Sequence, residues 1–172
     1  AGNNAWANFR LLTACRGLSR QEFAAPRTGF FPSLRATLNH ILWVDGYYID
    51  ALHRDPTVLR RYDEPPPDHP DADSLLAAQR ASDRRLIDFC ERQTAASLAE
   101  PLVLPRPGRT PPPTPVGMVL LHLFQHQVHH RGQAHAMLAG TAVKPPQLDE
   151  FFLAGEEDLR RDELVALGLP ER

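Results

Sequence analysis

The sequence lacks the features that would direct a protein to a membrane or to nucleic acid. No apolar run reaches the roughly 18 residues that a transmembrane helix needs. The formal net charge is -2, so there is no basic excess to attract nucleic acid or an anionic membrane surface. We therefore expect neither nucleic acid nor a membrane as a partner.

Cysteine is scarce, and the two residues present, Cys15 and Cys90, form no C-x-x-C motif. One disulfide between them would be compatible with their number, but two reduced thiols in a reducing compartment fit the chain better. The opening segment AGNNAWANFR lacks the positive start and the apolar stretch of a signal peptide. We therefore expect a cytoplasmic protein with two free thiols.

Common catalytic signatures are missing as well. The chain has no Gly-rich phosphate loop and no local signature of a Ser-His-Asp or Cys-His enzyme. The stretch HQVHH has the spacing of the H-E-x-x-H motif of zinc proteases, but Gln127 stands where the general-base glutamate should be. A protease of that class is not expected.

Helical periodicity is the main pattern that is present. Apolar residues at helical spacing predict four long helices, over residues 4–16, 34–54, 74–93 and 115–139. Ser33 and Thr114 are the predicted N-caps of the second and fourth helices, with Pro115 as the first helical residue of the fourth and Gly140 as its C-cap. Four long helices in 172 residues predict an all-α protein, an antiparallel four-helix bundle with long loops that forms a single domain over residues 1–172.

The segments between these helices are rich in proline and acidic residues. Residues 62–74 and 100–115 are predicted loops, and the LVL of the second is a candidate edge strand. SRQE, residues 19–22, has the pattern of a capping box at the start of a short helix. A further short helix is predicted within residues 155–168.

Histidine is concentrated in the last long helix. At 100° per residue, one side of this helix carries His122, His126, His129, His130 and Gln133. His135 falls on the far side, where we expect it at the surface. Two imidazoles four residues apart on a helix can reach one metal ion. Two pairs have this spacing, His126 with His130 and His122 with His126.

A metal site needs a third ligand from elsewhere, and His40 in the second long helix is the best placed candidate. His53 and His69 are weaker candidates, at a helix end and in the acidic loop. Asp45 lies about 140° around the helix from His40, so we expect it to be a buried hydrogen-bond acceptor and not a ligand of the same ion. The alternative for each histidine is an ordinary hydrogen-bonded place in the bundle.

Three stretches resemble the DinB-like family in matching order over nearly the whole chain. They are NNAWANFRLL near the start, LNHILWVD in the second long helix and HLFQHQVHHRGQAHAMLAG in the last one. A histidine followed by three residues and then HRGQ is the most specific of the three motifs. The resemblance implies an antiparallel four-helix bundle, often a homodimer, with a divalent metal held by one histidine of the second helix and an i,i+4 pair of the last.

Carried over by position, the implied metal ligands are His40, His126 and His130. Some relatives have a glutamate at the position of Gln127, so this chain lacks one possible base. Some relatives are transferases or isomerases that use a low-molecular-weight thiol, and the family resemblance implies no DNA binding.

Two hypotheses of function follow from a three-histidine site. In the first, the protein is a metal-dependent enzyme, a thiol-dependent transferase or a hydrolase, because three protein ligands leave coordination positions open. Gln133, His129 and His122 are then candidates to orient a bound ligand or carry protons. In the second, the protein is not an enzyme, and the ion only stabilises a dimeric bundle that acts as a binding or stress-response protein. We expect zinc or nickel, with iron or manganese as alternatives.

Overall fold

The protein is described here by a computed structural model that covers residues 1–60, 65–149 and 155–170. In chain order the helices are α1 (Gly2–Cys15), α2 (Arg20–Ala24), α3 (Leu34–Leu52), α4 (Ala72–Glu91), α5 (Ala95–Ala99), α6 (Val116–Ala139) and α7 (Arg161–Leu167), with one 3-10 turn at Glu157–Leu159. Two short strands, β1 (Pro101–Leu102) and β2 (Thr114–Pro115), pair in antiparallel fashion. Within these ranges no helix has both the length and the apolar character needed to cross a bilayer.

The four long helices α1, α3, α4 and α6 form the bundle. Contacts join α1 to α4, α4 to α3, α3 to α6 and α6 to α1, so each helix has two neighbours. Along the α3–α6 pair, Thr37 contacts Met137 near the start of α3, and Tyr48 contacts His122 near its end. The two helices that carry most of the histidines therefore run antiparallel, and the predicted all-α four-helix bundle is confirmed.

Helices α3 and α4 run in the same direction, whereas α3 and α6 run in opposite directions. Asn39 donates a hydrogen bond to the carbonyl of His69 at 3.1 Å, just before α4, and Arg85 donates to Asp50 at 2.8 Å near the far ends of both helices. The two helices are therefore parallel. The chain returns to the starting end of the bundle between residues 53 and 71, and residues 62–64 of the loop predicted there lie outside the described residues. Long crossovers of this kind are common in bundles.

The helix caps show where local sequence rules hold and where they fail. Ser33 accepts a hydrogen bond from the backbone N–H of Ala36 at 3.1 Å, as its predicted N-cap role requires. Gly140 is the C-cap of α6, and the capping box of α2 is present, both as predicted. The start of α4 was predicted too late, because Asp71 caps it by accepting from the N–H of Ser74 at 2.9 Å.

The predicted N-cap role of Thr114 is wrong. Thr114 and Pro115 are held extended by pairing with Leu102 and Pro101, so α6 begins at Val116 with no side-chain cap. Backbone pairing with a distant segment therefore overrides the local cap signal. The strand predicted at LVL includes only Leu102 of that stretch.

The cysteines are free, as predicted. Cys15 is buried among apolar side chains of one core cluster, and desolvation raises the pKa of its thiol to about 12. Cys90 is half-buried, and burial also raises its pKa. Neither thiol is therefore activated as a nucleophile.

A layer of polar side chains crosses the bundle between two apolar clusters. Along α4, for example, Leu75 and Leu76 belong to one cluster and Leu86 and Phe89 to the other. Seven buried polar residues from all four long helices lie between them and are called the polar layer below: Asn4, Asn8, Asp45, Gln79, Asp83, Gln127 and Arg131. Buried polar groups are stable only when they are hydrogen-bonded, so the pairing within this layer fixes how the four helices meet.

Arg131 is the cation of the polar layer. Its Nη1 donates to the side-chain oxygens of Asn4 at 2.6 Å, Asn8 at 2.9 Å and Gln127 at 2.9 Å. The amide of Asn8 in turn donates to Asp83 at 3.0 Å. Burial lowers the pKa of Arg131 to about 10, although the two acidic groups nearby favour its charge. The guanidinium therefore remains charged at neutral pH and joins α6 to α1.

Two carboxyl groups share this single cation. Asp45 accepts hydrogen bonds from Gln79, at 2.9 Å, and from Gln127. Burial raises the pKa of Asp45 well above its usual value, with the negative charge of Asp83 adding to the effect. Burial also raises the pKa of Asp83, to about 6. The predicted role of Asp45 as a buried hydrogen-bond acceptor is confirmed.

Candidate metal centre

Three histidines from two helices meet at one point between α3 and α6. Their ligand atoms all lie within 4.8 Å of one another, and the three residues, His40, His126 and His130, are called the histidine triad below. Nε2 of His40 is 3.1 Å from Nε2 of His126. The ring centroids of His130 lie 4.7 Å from His40 and 4.5 Å from His126.

Helix geometry explains why the triad assembles. His126 and His130 are one turn apart on α6, so their side chains project from the same face. His40 lies on the face of α3 that packs against α6, close to the level of these two residues because the helices run antiparallel. The i,i+4 pair and the third histidine expected from the sequence are therefore brought together.

Burial keeps the triad uncharged at neutral pH. Desolvation, with a smaller contribution from the neighbouring imidazoles, lowers the pKa of His126 to about 3 and that of His40 to about 4. Desolvation also lowers the pKa of His130. A neutral imidazole offers a lone pair to a cation, whereas a protonated imidazole offers none. The triad is therefore in the state that a metal ion requires.

The contacts of the ring nitrogens also fit a cation. Nδ1 of His130 is 2.8 Å from Oε1 of Gln133, so it carries a proton and leaves Nε2 with its lone pair. Within the described part of the chain, the buried Nδ1 of His126 has no hydrogen-bond partner. In a site without a cation, two of the nitrogens would face each other across 3.1 Å and compete for one shared proton.

Of the three further site residues expected from the sequence, Gln133 hydrogen-bonds to the triad, and the ring of His129 packs edge-on against that of His130 with centroids 4.8 Å apart. Nε2 of Gln133 lies 3.0 Å from Nε2 of His129, so a hydrogen-bonded row runs from His130 through Gln133 to the exposed His129. His122 is exposed and packs against the ring of Tyr48, with centroids 5.3 Å apart. The alternative pair His122–His126 therefore does not form the cluster with His40.

The other candidate histidines lie elsewhere. His53 packs its ring against Phe89, and His69 is held through its backbone by Asn39. The prediction of a surface position for His135 is wrong. It is half-buried, with Nε2 2.9 Å from the carbonyl oxygen of Pro146, because the segment after α6 folds back over that side of the helix.

Gln127 faces the core, away from the triad that flanks it in sequence. It is fully buried and joins Asp45 and Arg131 in the polar layer. Its amide therefore stabilises the bundle, and the site is built without a general base at this position.

Phe30 and Phe31 belong to the surroundings of the triad, although the sequence indicated only a break between helices at FFPSL. The ring of Phe31 lies 4.3 Å from that of His40 and 5.6 Å from that of His130. Phe30 packs edge-on against Phe31 at 5.0 Å. Only the tertiary path of the segment between α2 and α3 reveals this contact, and no spacing rule in the sequence predicts it.

By its fold and its site, this protein is a helical bundle that holds a histidine triad between its second and last long helices. The model of the DinB family matches residues 2–161, and the chain belongs to that family. The resemblance stated from the sequence motifs is confirmed.

The solved structures with a similar fold include that of a DinB-like protein from Bacillus cereus ATCC 10987. The TM-score is 0.61 at 17% sequence identity, over 83% of this chain and 90% of that chain. At this identity the similarity concerns the fold alone. No curated protein sequence matches the chain.

Proposed function

We propose that the histidine triad binds one divalent metal ion and that the protein is a metal-dependent enzyme. The observation that carries the metal site is the meeting of three neutral imidazoles within 4.8 Å. Around a tetrahedral ion with metal–nitrogen bonds of about 2.0–2.1 Å, ligand nitrogens are roughly 3.4 Å apart. The triad reaches that arrangement with small side-chain movements.

The donor set favours some metals over others. Three imidazole nitrogens suit zinc and nickel, with iron and manganese as alternatives, whereas calcium and magnesium prefer oxygen ligands. We therefore expect zinc or nickel in the protein as isolated.

The number of protein ligands in the histidine triad favours catalysis. Three protein ligands leave a position open, and a bound ion there acidifies a water or thiol or polarises a carbonyl group. His129, exposed at the end of the row through Gln133, can exchange protons with solvent. Two reactions fit these groups, transfer of a low-molecular-weight thiol to an electrophile and hydrolysis.

Turnover on a panel of thiols, electrophiles and esters tests this proposal. We expect activity that requires the metal and is lost in His130→Ala. The rival function is a non-catalytic bundle in which the ion only stabilises the fold. Absence of turnover, combined with a large fall in melting temperature when the metal is removed, would favour that rival.

Gln133 should position His130 for metal binding. Replacing Gln133 with leucine removes the acceptor of the Nδ1–H bond, and loss of such a bond weakens metal affinity by about 10–100-fold. Gln133→Glu keeps an acceptor at the same place and should restore most of the affinity. Competition titration against a chromophoric chelator measures both, and equal affinities in the leucine variant and the wild type would refute this role.

Metal retention should persist to lower pH than ordinary histidines would allow. A free imidazole has a pKa of about 6.5, whereas the folded triad takes up protons near the values of about 4 and about 3 for His40 and His126. Because these pKa values are lowered by folding, the ligands stay neutral as the pH falls through 6.5, and protons displace the ion only as the pH approaches the lowered values.

Equilibrium dialysis at pH values from 8 to 4 measures this retention. Release should take up more than one proton per ion, because several ligands protonate together. Half-release near pH 6.5 would instead mean that the ligands titrate as exposed imidazoles.

We also propose that the chain forms a homodimer through the outward face of α6. Arg131 is the only Asp, Glu, Lys or Arg residue of this helix, and it is buried, so the exposed face carries no such charge. Met118 and Val128 on this face are 56% and 63% exposed. Large uncharged patches on a helix commonly mark an interface, and two-fold symmetry is the usual arrangement.

Light scattering tests the dimer. We expect a mass of twice 19.3 kDa for the wild type and a shift toward monomer in Val128→Glu. The matched control is Val165→Glu, a similarly exposed valine on α7. A wild-type mass of one chain at high concentration would refute the dimer.

A further inference from the structure

Two phenylalanines stand at the edge of the histidine triad. The ring of Phe31 lies 4.3 Å from that of His40 with an interplanar angle of 37°, so it lies over one side of a candidate ligand. Phe30 continues this surface outward, 5.0 Å from Phe31 and 6.4 Å from His130. Phe30 and Phe31 together are called the aromatic platform below.

The backbone holds the aromatic platform in a defined position. The N–H of Arg27 donates to the carbonyl of Pro32 at 2.8 Å, which closes a turn around the two phenylalanines. Gly29 lies so close to Met137 on α6 that an added Cβ would be 2.2 Å from the Met137 methyl. Ser33 then caps α3 directly after the turn. The platform is therefore tied to both helices that carry the triad.

Phe30 gives little to the stability of the fold. It is 78% exposed, more than any of the other large hydrophobic side chains of the described residues. An aromatic ring left in water forgoes the free energy of burial. Phe30 forms one continuous ring surface with Phe31, His40 and His130, and a contiguous exposed apolar surface commonly marks a ligand-binding site. The position of Phe30 therefore points to a ligand that covers it.

We propose that the aromatic platform is the substrate-binding surface of the triad and selects substrates that carry an apolar, preferably aromatic, group next to the group that meets the metal. This inference rests on the proposed metal site. Aromatic rings pack favourably edge-to-face or offset, and Phe30 offers both its face and its edge to such a group.

Two metal-binding probes that differ only beside the hydroxamate test the proposal. Acetohydroxamate carries a methyl group there and benzohydroxamate a phenyl ring. Calorimetry on the zinc-loaded full chain should show benzohydroxamate binding about tenfold more tightly, the ratio expected for a well-packed aromatic contact. Phe30→Ser should bring the two affinities within about twofold. Phe30→Tyr, which keeps the ring, should retain the preference.

The control variant is Val165→Ser, which removes a comparably exposed apolar side chain, 72% exposed, on α7. It should bind both probes as the wild type does. If Phe30→Ser still prefers benzohydroxamate as the wild type does, the platform is overturned, whether or not light scattering shows a change in the mass of the variant. The zinc content of each sample separates the two proposals. A fully loaded protein without preference refutes only the platform, whereas a wild-type chain that takes up no zinc refutes the metal site on which the platform depends.

Discussion

Replacing His126 with alanine should abolish stoichiometric metal binding. His126 contacts both other ligands, with its Nε2 3.1 Å from that of His40 and its ring 4.5 Å from that of His130. Its removal leaves two imidazoles on different helices, without the i,i+4 pair that binds an ion on one face. Since loss of a mere supporting hydrogen bond weakens metal sites by up to about 100-fold, loss of this ligand should weaken binding by more than that.

Titration with zinc in competition with a chromophoric chelator measures the effect. The matched control is His135→Ala on the same helix, because that ring bonds the carbonyl of Pro146 and does not join the triad. It should bind as the wild type does. A His135 variant that loses the ion while the His126 variant keeps it would require a different set of ligands.

Replacing Arg131 with methionine should destabilise the fold by about 3–5 kcal/mol, the cost of removing one partner from a buried ionic network. Methionine is long enough to fill the space, so the loss comes mainly from hydrogen bonding. Arg131 donates to Asn4, Asn8 and Gln127, and their oxygens would remain buried without a donor. The free energy of unfolding from urea denaturation, monitored on metal-free protein, measures this cost.

Arg16→Met is the control for Arg131→Met. Arg16 donates to Asp73 at 2.6 Å, and the two side chains are 53% and 69% exposed, so this ion pair is worth about 0–1 kcal/mol. Similar small losses in the two variants would mean that solvent reaches the polar layer. Asp83→Asn in the Arg131→Met background should recover part of the loss, because it removes a carboxylate that no longer has a cation.

Helical periodicity predicted most of the features that the structure confirms. The same 100° rotation that groups apolar residues into stripes also placed His126 and His130 on one face, so the triad could be anticipated together with the bundle. Local cap signals were reliable where no distant segment competed, as at Ser33.

What the sequence could not provide depends on contacts between distant segments. Thr114 has a good cap side chain, but pairing with β1 holds it extended. His135 is covered by the segment after α6, and Phe31 reaches His40 only because the turn before α3 packs against Met137. Periodicity within one helix carries no information on any of these contacts.

X-ray absorption spectroscopy at the metal edge tests the histidine triad most directly, on protein purified without a metal-binding tag. We predict one ion per chain, with a first shell that contains three imidazole nitrogens at about 2.0–2.1 Å for zinc and that loses imidazole scattering in His40→Ala. A protein isolated without metal that takes up none, or a shell dominated by sulfur or carboxylate oxygen, would contradict a metal centre built from His40, His126 and His130.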